Sequence, residues 1–156
     1  MFKKALLTTL ALVVISSSAL AVSAHKVYVE ADENNFSIVS EELNKHGIEF
    51  KGRKELWREY VFYTSLRKPQ TVVKTDEESF KAFQKERFDE SLIVQTSHAA
   101  NEESVTDIST SIQVVNLKDG NIKRMLSQNY TTTDNTENIE QKEVDMLREL
   151  VKQYME

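Results

Sequence analysis

The alternation of apolar and polar positions is clearest between residues 105 and 131. The first half of this segment has the period-two pattern of a strand with one buried face. Its apolar positions include Ile108, Ile112 and Val114. Asp119-Gly120 then interrupts the pattern and is typical of a two-residue type I′ turn, in which both central residues adopt positive φ. The segment therefore predicts a β-hairpin that joins 105–117 to 122–131.

The hairpin pattern also predicts a register and a place in the sheet. A two-residue loop pairs Leu117 with Ile122 and Val114 with Met125. Both strands carry apolar residues on two faces, which is the pattern of strands that are covered on both sides. We therefore expect a central hairpin rather than a free edge.

Three shorter segments are also consistent with strands. Val27 and Val29 alternate with their neighbours, which predicts a short strand near the start of the domain. Residues 92–97 begin with Leu92, Ile93 and Val94 and predict a second strand. Residues 71–74 predict a third, which is brief. These short runs supply strands that the hairpin can join to form a sheet.

Residues 56–66, LWREYVFYTSL, allow two interpretations. The segment is dense in aromatic and β-branched residues, and this composition favours a strand. The alternative is a helix that places Leu56, Tyr60 and Tyr63 on one face. We favour the strand, which Pro69 would end because proline cannot donate to a ladder.

Two helices are predicted from residues suited to helix ends. Ser37 is suited to the N-cap and Gly47 to the position after the last turn, so 38–46 is predicted to be a short helix. Capping-box spacing begins at Thr75 and predicts a helix over 76–88.

The C-terminal segment predicts a third helix, which is amphipathic. Its apolar positions repeat with 3-4-3 spacing, and Leu150 widens the stripe. The stripe consists of Val144, Leu147, Val151 and Tyr154. Together the patterns predict a single small α+β domain over 25–156, with an antiparallel sheet, a central hairpin, the C-terminal helix and one or two further helices packed on the sheet.

The first 24 residues have the three-part pattern of a secretory signal peptide. Lys3 and Lys4 precede an apolar run over 5–15, and small residues follow at Val22 and Ala24. The apolar run is too short for a bilayer span, which needs about 20 residues. We expect cleavage after Ala24 and a periplasmic or secreted protein without a membrane span.

Composition excludes several functional classes. The chain has no cysteine, which excludes a disulfide scaffold, a thiolate metal site and a cysteine nucleophile. Three glycines and one proline are too few for Gly-rich phosphate-binding folds. The formal net charge is −5, so the overall field of the protein does not attract nucleic acid.

The most distinctive candidate site is a group of aromatic residues with basic neighbours. Such a combination suits a ligand that has an apolar body and an anionic head. The candidate residues are Trp57, Tyr60, Tyr63, Arg53, Lys54 and Arg58. The alternative is that the Trp57–Tyr63 segment belongs to the core and only its basic side is exposed.

Two further segments suggest metal chemistry as alternatives. After the expected cleavage, the α-amine and imidazole of His25 could chelate copper, an arrangement that resembles the histidine brace of lytic polysaccharide monooxygenases. The acidic run over 30–35 could supply oxygen ligands to Ca²⁺, although it lacks the ligand spacing of an EF-hand. In both cases a solvated polar segment is the simpler interpretation, and the sequence predicts no metal and no cofactor.

A nucleophilic triad is the remaining catalytic alternative. Its components would be His98, Asp107 and a serine, for which Ser97 and Ser104 are both nearby. Neighbouring residues on a strand point to opposite faces, which separates Ser97 from His98. The sequence contains no zinc-protease, nucleophile-elbow or phosphate-loop motif, and it predicts no catalytic residue.

These observations favour a small exported, non-enzymatic protein that binds a partner protein or a small amphipathic ligand. A hydrolase or metal-dependent enzyme that uses His98 or His25 is one alternative. An accessory subunit of a cell-envelope complex is the other, and it would expose a large apolar patch.

Overall fold

The computed structural model describes residues 25–67, 76–100, 106–133 and 138–156. Five strands and four helices lie in these ranges. In chain order they are β1 Lys26–Glu30, α1 Glu33–Lys45, β2 Glu49–Gly52, α2 Arg53–Arg67, α3 Glu77–Arg87, β3 Glu90–Ala100, β4 Thr106–Asn116, β5 Ile122–Thr132 and α4 Ile139–Met155. The signal-peptide segment 1–24, the predicted strand 71–74 and Ser104 lie outside the described residues.

The strands form one mixed sheet in the order β2-β1-β3-β4-β5. β1 pairs in parallel with both β2 and β3, whereas β3, β4 and β5 are antiparallel. The predicted α+β fold with a hairpin and a C-terminal helix is confirmed. The parallel half was not predicted. It arises because α1 connects β1 to β2 as a crossover, and crossovers join parallel strands.

Each face of the sheet has its own core. Val27 and Val29 face the side covered by α1 and α4, and Tyr28 between them faces the side covered by α2 and α3. The larger core also contains apolar residues of β3 and β4. The smaller core is mainly aromatic and contains Tyr60, Phe80, Phe83 and Phe88. β1 is therefore covered on both faces, as expected for a parallel strand.

The hairpin is confirmed, but its predicted register is wrong. Val114 pairs with Arg124 and Val115 pairs with Ile122, with an irregularity between the two valines. The loop between the two strands has five residues, 117–121, rather than two. The N–H of Asn116 donates to the carbonyl of Asn121 at 2.9 Å, and Gly120 has a positive φ of 75°. The expected central place in the sheet holds for β4 but is wrong for β5, which forms one edge of the described sheet.

The strand predicted over 56–66 is wrong, and the helical alternative is correct. The segment belongs to α2, which buries Leu56 and Tyr60 one turn apart. Trp57 and Tyr63 pack against the same aromatic core. Burial of this stripe outweighs the strand preference of the aromatic and β-branched residues, as tertiary packing often does.

The helix predicted over 38–46 is real but begins earlier. Asp32 is its N-cap and accepts a hydrogen bond from the N–H of Asn35 at 2.9 Å. Ser37 lies inside the helix, so its predicted capping role is wrong. Gly47 follows the helix with a φ of 68°, as predicted. Asp32 is a stronger N-cap than Ser37, because its carboxylate accepts from a backbone N–H that has no partner within the helix and its negative charge complements the helix dipole.

The other predicted helices are confirmed. α3 begins after Asp76, whose carboxylate accepts from the N–H of Ser79 at 2.7 Å. α4 packs against β4, β5 and α1, and it buries Leu147, Leu150 and Val151 completely. None of the helices in the described ranges is long and apolar enough to cross a bilayer.

Candidate functional site

A crevice of about 800 Å³ lies at the carboxyl ends of β1 and β2, where α1 and α2 begin. Its apolar wall is formed by Val29, Ala31, Phe36 and Trp57. Its charged wall is formed by Glu33, Arg53, Lys54, Glu55 and Arg58. Crevices at the carboxyl ends of parallel strands are the usual ligand sites of sheets with parallel strands, because the chain leaves for a helix there. The parallel half of the sheet thus creates a crevice between the starts of α1 and α2.

The six predicted site residues all lie on α2, but they divide between two environments. Arg53, Lys54, Trp57 and Arg58 line the crevice. The other two contribute to the aromatic core, where Tyr60 is buried and Tyr63 is half-buried. The structure therefore brings the basic residues together with Trp57 and turns the two tyrosines away.

Arg53 is held in place by several contacts. Its guanidinium donates two hydrogen bonds to the carboxylate of Glu77, at 3.0 and 2.8 Å. It also lies over the rings of Trp57, at 5.8 Å, and Phe80, at 5.4 Å. The hydrogen bonds to Glu77 raise the pKa of Arg53, and the same contact lowers the pKa of Glu77. The charge of Arg53 is thus already compensated, and its contact fixes α3 beside the crevice.

Tyr28 connects this ion pair to the sheet. Burial, followed by the neighbouring Glu30 carboxylate, raises the pKa of Tyr28 to about 12. The Arg53 guanidinium acts in the opposite direction through a hydrogen bond. Tyr28 therefore remains a neutral phenol near neutral pH and contributes packing rather than charge.

Lys54 and Arg58 are the available cations of the crevice. Both are exposed, and neither forms an ion pair within the described part of the chain. The amino end of α2 adds to their effect, because Gly52 directly precedes the helix and has no side chain to cap it. In contrast, α1, α3 and α4 begin with capping side chains, from Asp32, Asp76 and Asn138. An uncapped helix start presents N–H groups and a partial positive charge to the crevice.

Phe36 and Gly52 lie against each other in the crevice wall. A Cβ at position 52 would lie 2.5 Å from Cε2 of Phe36 and 2.8 Å from its Cζ. The Phe36 ring also packs edge-on against Phe50, with 6.1 Å between centroids. The sequence analysis missed both residues, since they come from α1 and β2 and meet only through the crossover.

A second, smaller cavity of about 280 Å³ surrounds the start of β1. There Nε2 of His25 lies 3.0 Å from Oε2 of Glu90 and 3.1 Å from Oη of Tyr154. Tyr154 and Lys123 both donate to the buried Glu90 carboxylate. Burial alone would raise the pKa of Glu90, but the hydrogen bonds from Lys123, Tyr154 and His25 lower it below its ordinary value. The cluster joins β1, β3, β5 and α4.

The metal alternatives gain no geometric support. Among the described residues no group of three histidine, aspartate or glutamate side chains is arranged to hold a metal ion. In the acidic run 30–35, the carboxylate of Asp32 caps α1 and also accepts from the Asn35 amide at 2.8 Å. The imidazole of His25 is engaged by Glu90 and Tyr154.

The triad alternative is not assembled in the described residues. Nε2 of His98 lies 2.7 Å from Oε2 of Glu143 on α4. Ser97 is its neighbour on β3 and points to the opposite face. Asp107 accepts from Thr131 at 2.5 Å instead of contacting the histidine. Neither of the two cavities described above includes His98.

The outer face of α2 carries exposed apolar residues beyond the crevice. Phe62 and Leu66 are each 64% exposed, and Val61 is 39% exposed. Ile122 and Met125 on β5 form a second exposed apolar pair. Apolar residues grouped on one helix face are a feature of interaction surfaces when they form a continuous patch.

No family model and no curated protein sequence matches the chain. The similar solved structures include the PelC dodecamer from Paraburkholderia phytofirmans, at a TM-score of 0.49 and 6% identity over 82% of this chain and 84% of that chain. Lipoprotein GNA1162 from Neisseria meningitidis has a TM-score of 0.42 and 16% identity over 84% and 97% of the two chains. A minor lipoprotein from Acinetobacter baumannii has a TM-score of 0.38 and 12% identity over 84% and 87%. Similarity at these levels assigns neither a family nor a function to the chain.

Proposed function

We propose that the protein is a small, non-enzymatic binding protein whose crevice takes an amphipathic ligand with an anionic head. The observation that carries this proposal is the meeting, in one crevice, of two aromatic rings and two cations that form no ion pair with the residues that the structure describes. Phe36 and Trp57 come from helices on opposite faces of the sheet and would contact the apolar body. Lys54 and Arg58 would contact the head group.

The size and chemistry of the crevice support binding of a small molecule. Small-molecule sites usually have volumes of roughly 300–1,000 Å³ and apolar walls with a few polar groups. The crevice has about 800 Å³. Because the amino end of α2 is uncapped, the head group would also meet backbone N–H groups there. Glu33 and Glu55 lie on the same wall, so they disfavour a second negative charge on the ligand.

The proposed setting is the periplasm or the extracellular space. This part of the proposal is supported by the signal-peptide pattern of residues 1–24. An exported protein of this size that binds rather than reacts could hold or carry amphipathic anions outside the cytoplasm. The requirement for an anionic head group distinguishes the proposed binding from simple adsorption of any apolar molecule.

Trp57 provides the test, because it is the only tryptophan and lies on the crevice wall. We would titrate the protein with an alkyl carboxylate, the matching alcohol and the matching alkylammonium, each below its micelle concentration, and record tryptophan fluorescence. The carboxylate is expected to bind most tightly. Equal binding of all three, tighter binding of the ammonium or no binding at all would contradict the proposal.

A pair of double variants tests the role of the two cations. Lys54→Gln with Arg58→Gln is expected to weaken carboxylate binding by about tenfold or more, since hydrogen bonds to charged groups contribute roughly 1.5–3 kcal/mol each. Alcohol binding should be unchanged. Lys85→Gln with Lys152→Gln is the matched control, because it removes two exposed cations from α3 and α4. If both pairs weaken binding equally, the effect comes from net charge and not from the crevice.

A second candidate function, docking of a partner protein, is favoured by the exposed apolar face of α2. Phe62→Ser with Leu66→Ser would remove this face without touching the crevice. Ile122→Ser with Met125→Ser is the control, because these residues have similar exposure elsewhere. Loss of a co-purifying protein in the first variant only would support partner docking. No difference between the two variants would contradict it.

A further inference from the structure

We propose that Phe36 and Gly52 together set the size of the apolar ligand body that the crevice accepts. This inference rests on the proposed ligand-binding function and names the residues that determine its specificity. The Phe36 ring occupies the space that any side chain at position 52 would need. The ring is therefore a wall whose position depends on residue 52.

The requirement for glycine at position 52 is steric. Of the three glycines, Gly47 and Gly120 have positive φ and Gly52 does not, so the backbone conformation of Gly52 does not require glycine. What excludes a side chain is the 2.5 Å approach between its Cβ and Cε2 of Phe36. Real Cβ atoms do not approach other heavy atoms so closely, so one of the two groups must move. The far end of a phenylalanine ring moves more readily than the backbone at the end of β2.

The direction of that movement is set by the surroundings of the ring. Phe50 packs against Phe36 on the side of the larger core, with 6.1 Å between ring centroids. The open side is the crevice, which both Phe36 and Gly52 line. A side chain at position 52 would therefore push the ring into the crevice and narrow it. Removal of the ring would widen the crevice instead.

The two opposite changes give a test with matched variants. Gly52→Ala is expected to shift preference toward short, thin alkyl carboxylates and to weaken binding of a bile salt by about tenfold. Phe36→Ala is expected to shift preference toward the bile salt by a similar factor. Phe36→Leu is the milder variant if Phe36→Ala unfolds, and a melting curve by circular dichroism identifies that case.

The double variant isolates the contact between the two residues. Without a ring to displace, Gly52→Ala should change the preference little in the Phe36→Ala background. Such non-additivity is the signature of two residues that act through one contact. Equal effects of Gly52→Ala in both backgrounds would overturn the inference.

The outcomes also separate this inference from the proposed function. If the wild-type protein binds the carboxylate series and the variants keep the same preference, the inference is wrong and the proposed function stands. If the wild-type protein binds no member of the series, both are wrong. A shift in opposite directions for the two single variants supports both.

Discussion

The Leu147→Ala variant tests whether α4 is part of the core. Leu147 is fully buried and packs in the larger core together with Leu150, Val151 and the apolar residues of β4. The substitution removes three carbon atoms, at about 0.8 kcal/mol of transfer free energy each. The cavity that remains adds to this loss, so the expected total is about 3–4 kcal/mol, within the usual range for such truncations. The better helix propensity of alanine offsets no more than a few tenths of a kcal/mol.

The assay is thermal and urea unfolding followed by circular dichroism. A loss of this size should lower the melting temperature by about 10–15 °C in a domain of this length. Leu66→Ala is the matched control, because Leu66 is 64% exposed on α2 and should change stability by less than about 0.5 kcal/mol. If Leu147→Ala and Leu66→Ala melt together within a few degrees of the wild type, α4 does not dock on the sheet as described.

Four other changes have definite expected outcomes. Gly120→Val places a β-branched residue at a φ of 75° and should cost about 1–3 kcal/mol in urea unfolding, whereas Gly120→Asn should cost less. Thr110→Val should raise the free energy of unfolding, measured with urea, by about 1 kcal/mol, because the buried hydroxyl has no hydrogen-bond partner among the described residues. Because the pKa of Glu90 is lowered in the folded protein, its ionised carboxylate stabilises the fold at pH values above the ordinary pKa of 4.5. This stabilisation is lost as the pH falls through the folded-state pKa. Glu90→Gln should therefore lower stability near pH 7 and flatten the acid side of a stability-versus-pH curve. Intact mass of the exported protein should match a chain that begins at His25, and a mass that retains residues 1–24 would contradict cleavage.

The error over 56–66 shows what composition cannot decide. Aromatic and β-branched residues favour a strand when only the intrinsic preference of each residue type is considered. In α2 the same residues repeat at helical spacing, so Leu56 and Tyr60 meet Phe80 and Phe83 of α3 in one core. The predicted helical alternative contained this stripe. The helix that forms α3 was also predicted, but its packing against this stripe was not, because the two helices are joined only through the tertiary fold.

The hairpin register depended on local hydrogen bonds that a turn motif does not specify. Asp119-Gly120 predicted a two-residue turn, and the loop extends over 117–121 instead. Two side chains stabilise the longer loop, since Asn116 accepts from the N–H of Lys118 and Asp119 accepts from the N–H of Asn121, each at 2.9 Å. Apolar alternation was sufficient to find the strands, and these side-chain contacts decided how they pair.

The candidate site could be found only in part from the sequence. Arg53, Lys54, Trp57 and Arg58 are close along the chain, so their spacing in one segment was visible. Phe36 belongs to another element and reaches the crevice only because β1 and β2 are parallel. The Glu90 cluster is hidden for the same reason, since its partners come from β1, β5 and α4.

Gly52 links the fold to the site through two separate properties. It ends β2 and directly precedes α2, so a residue without a side chain leaves the first turn of α2 uncapped. The same missing side chain admits the ring of Phe36 from α1. A serine at this position would cap α2 and displace the ring, and thus remove the open helix end and the crevice wall together. Binding of both the anionic head and the apolar body of the proposed ligand therefore depends on position 52. This position ends β2, the strand that the α1 crossover makes parallel to β1, and directly precedes α2.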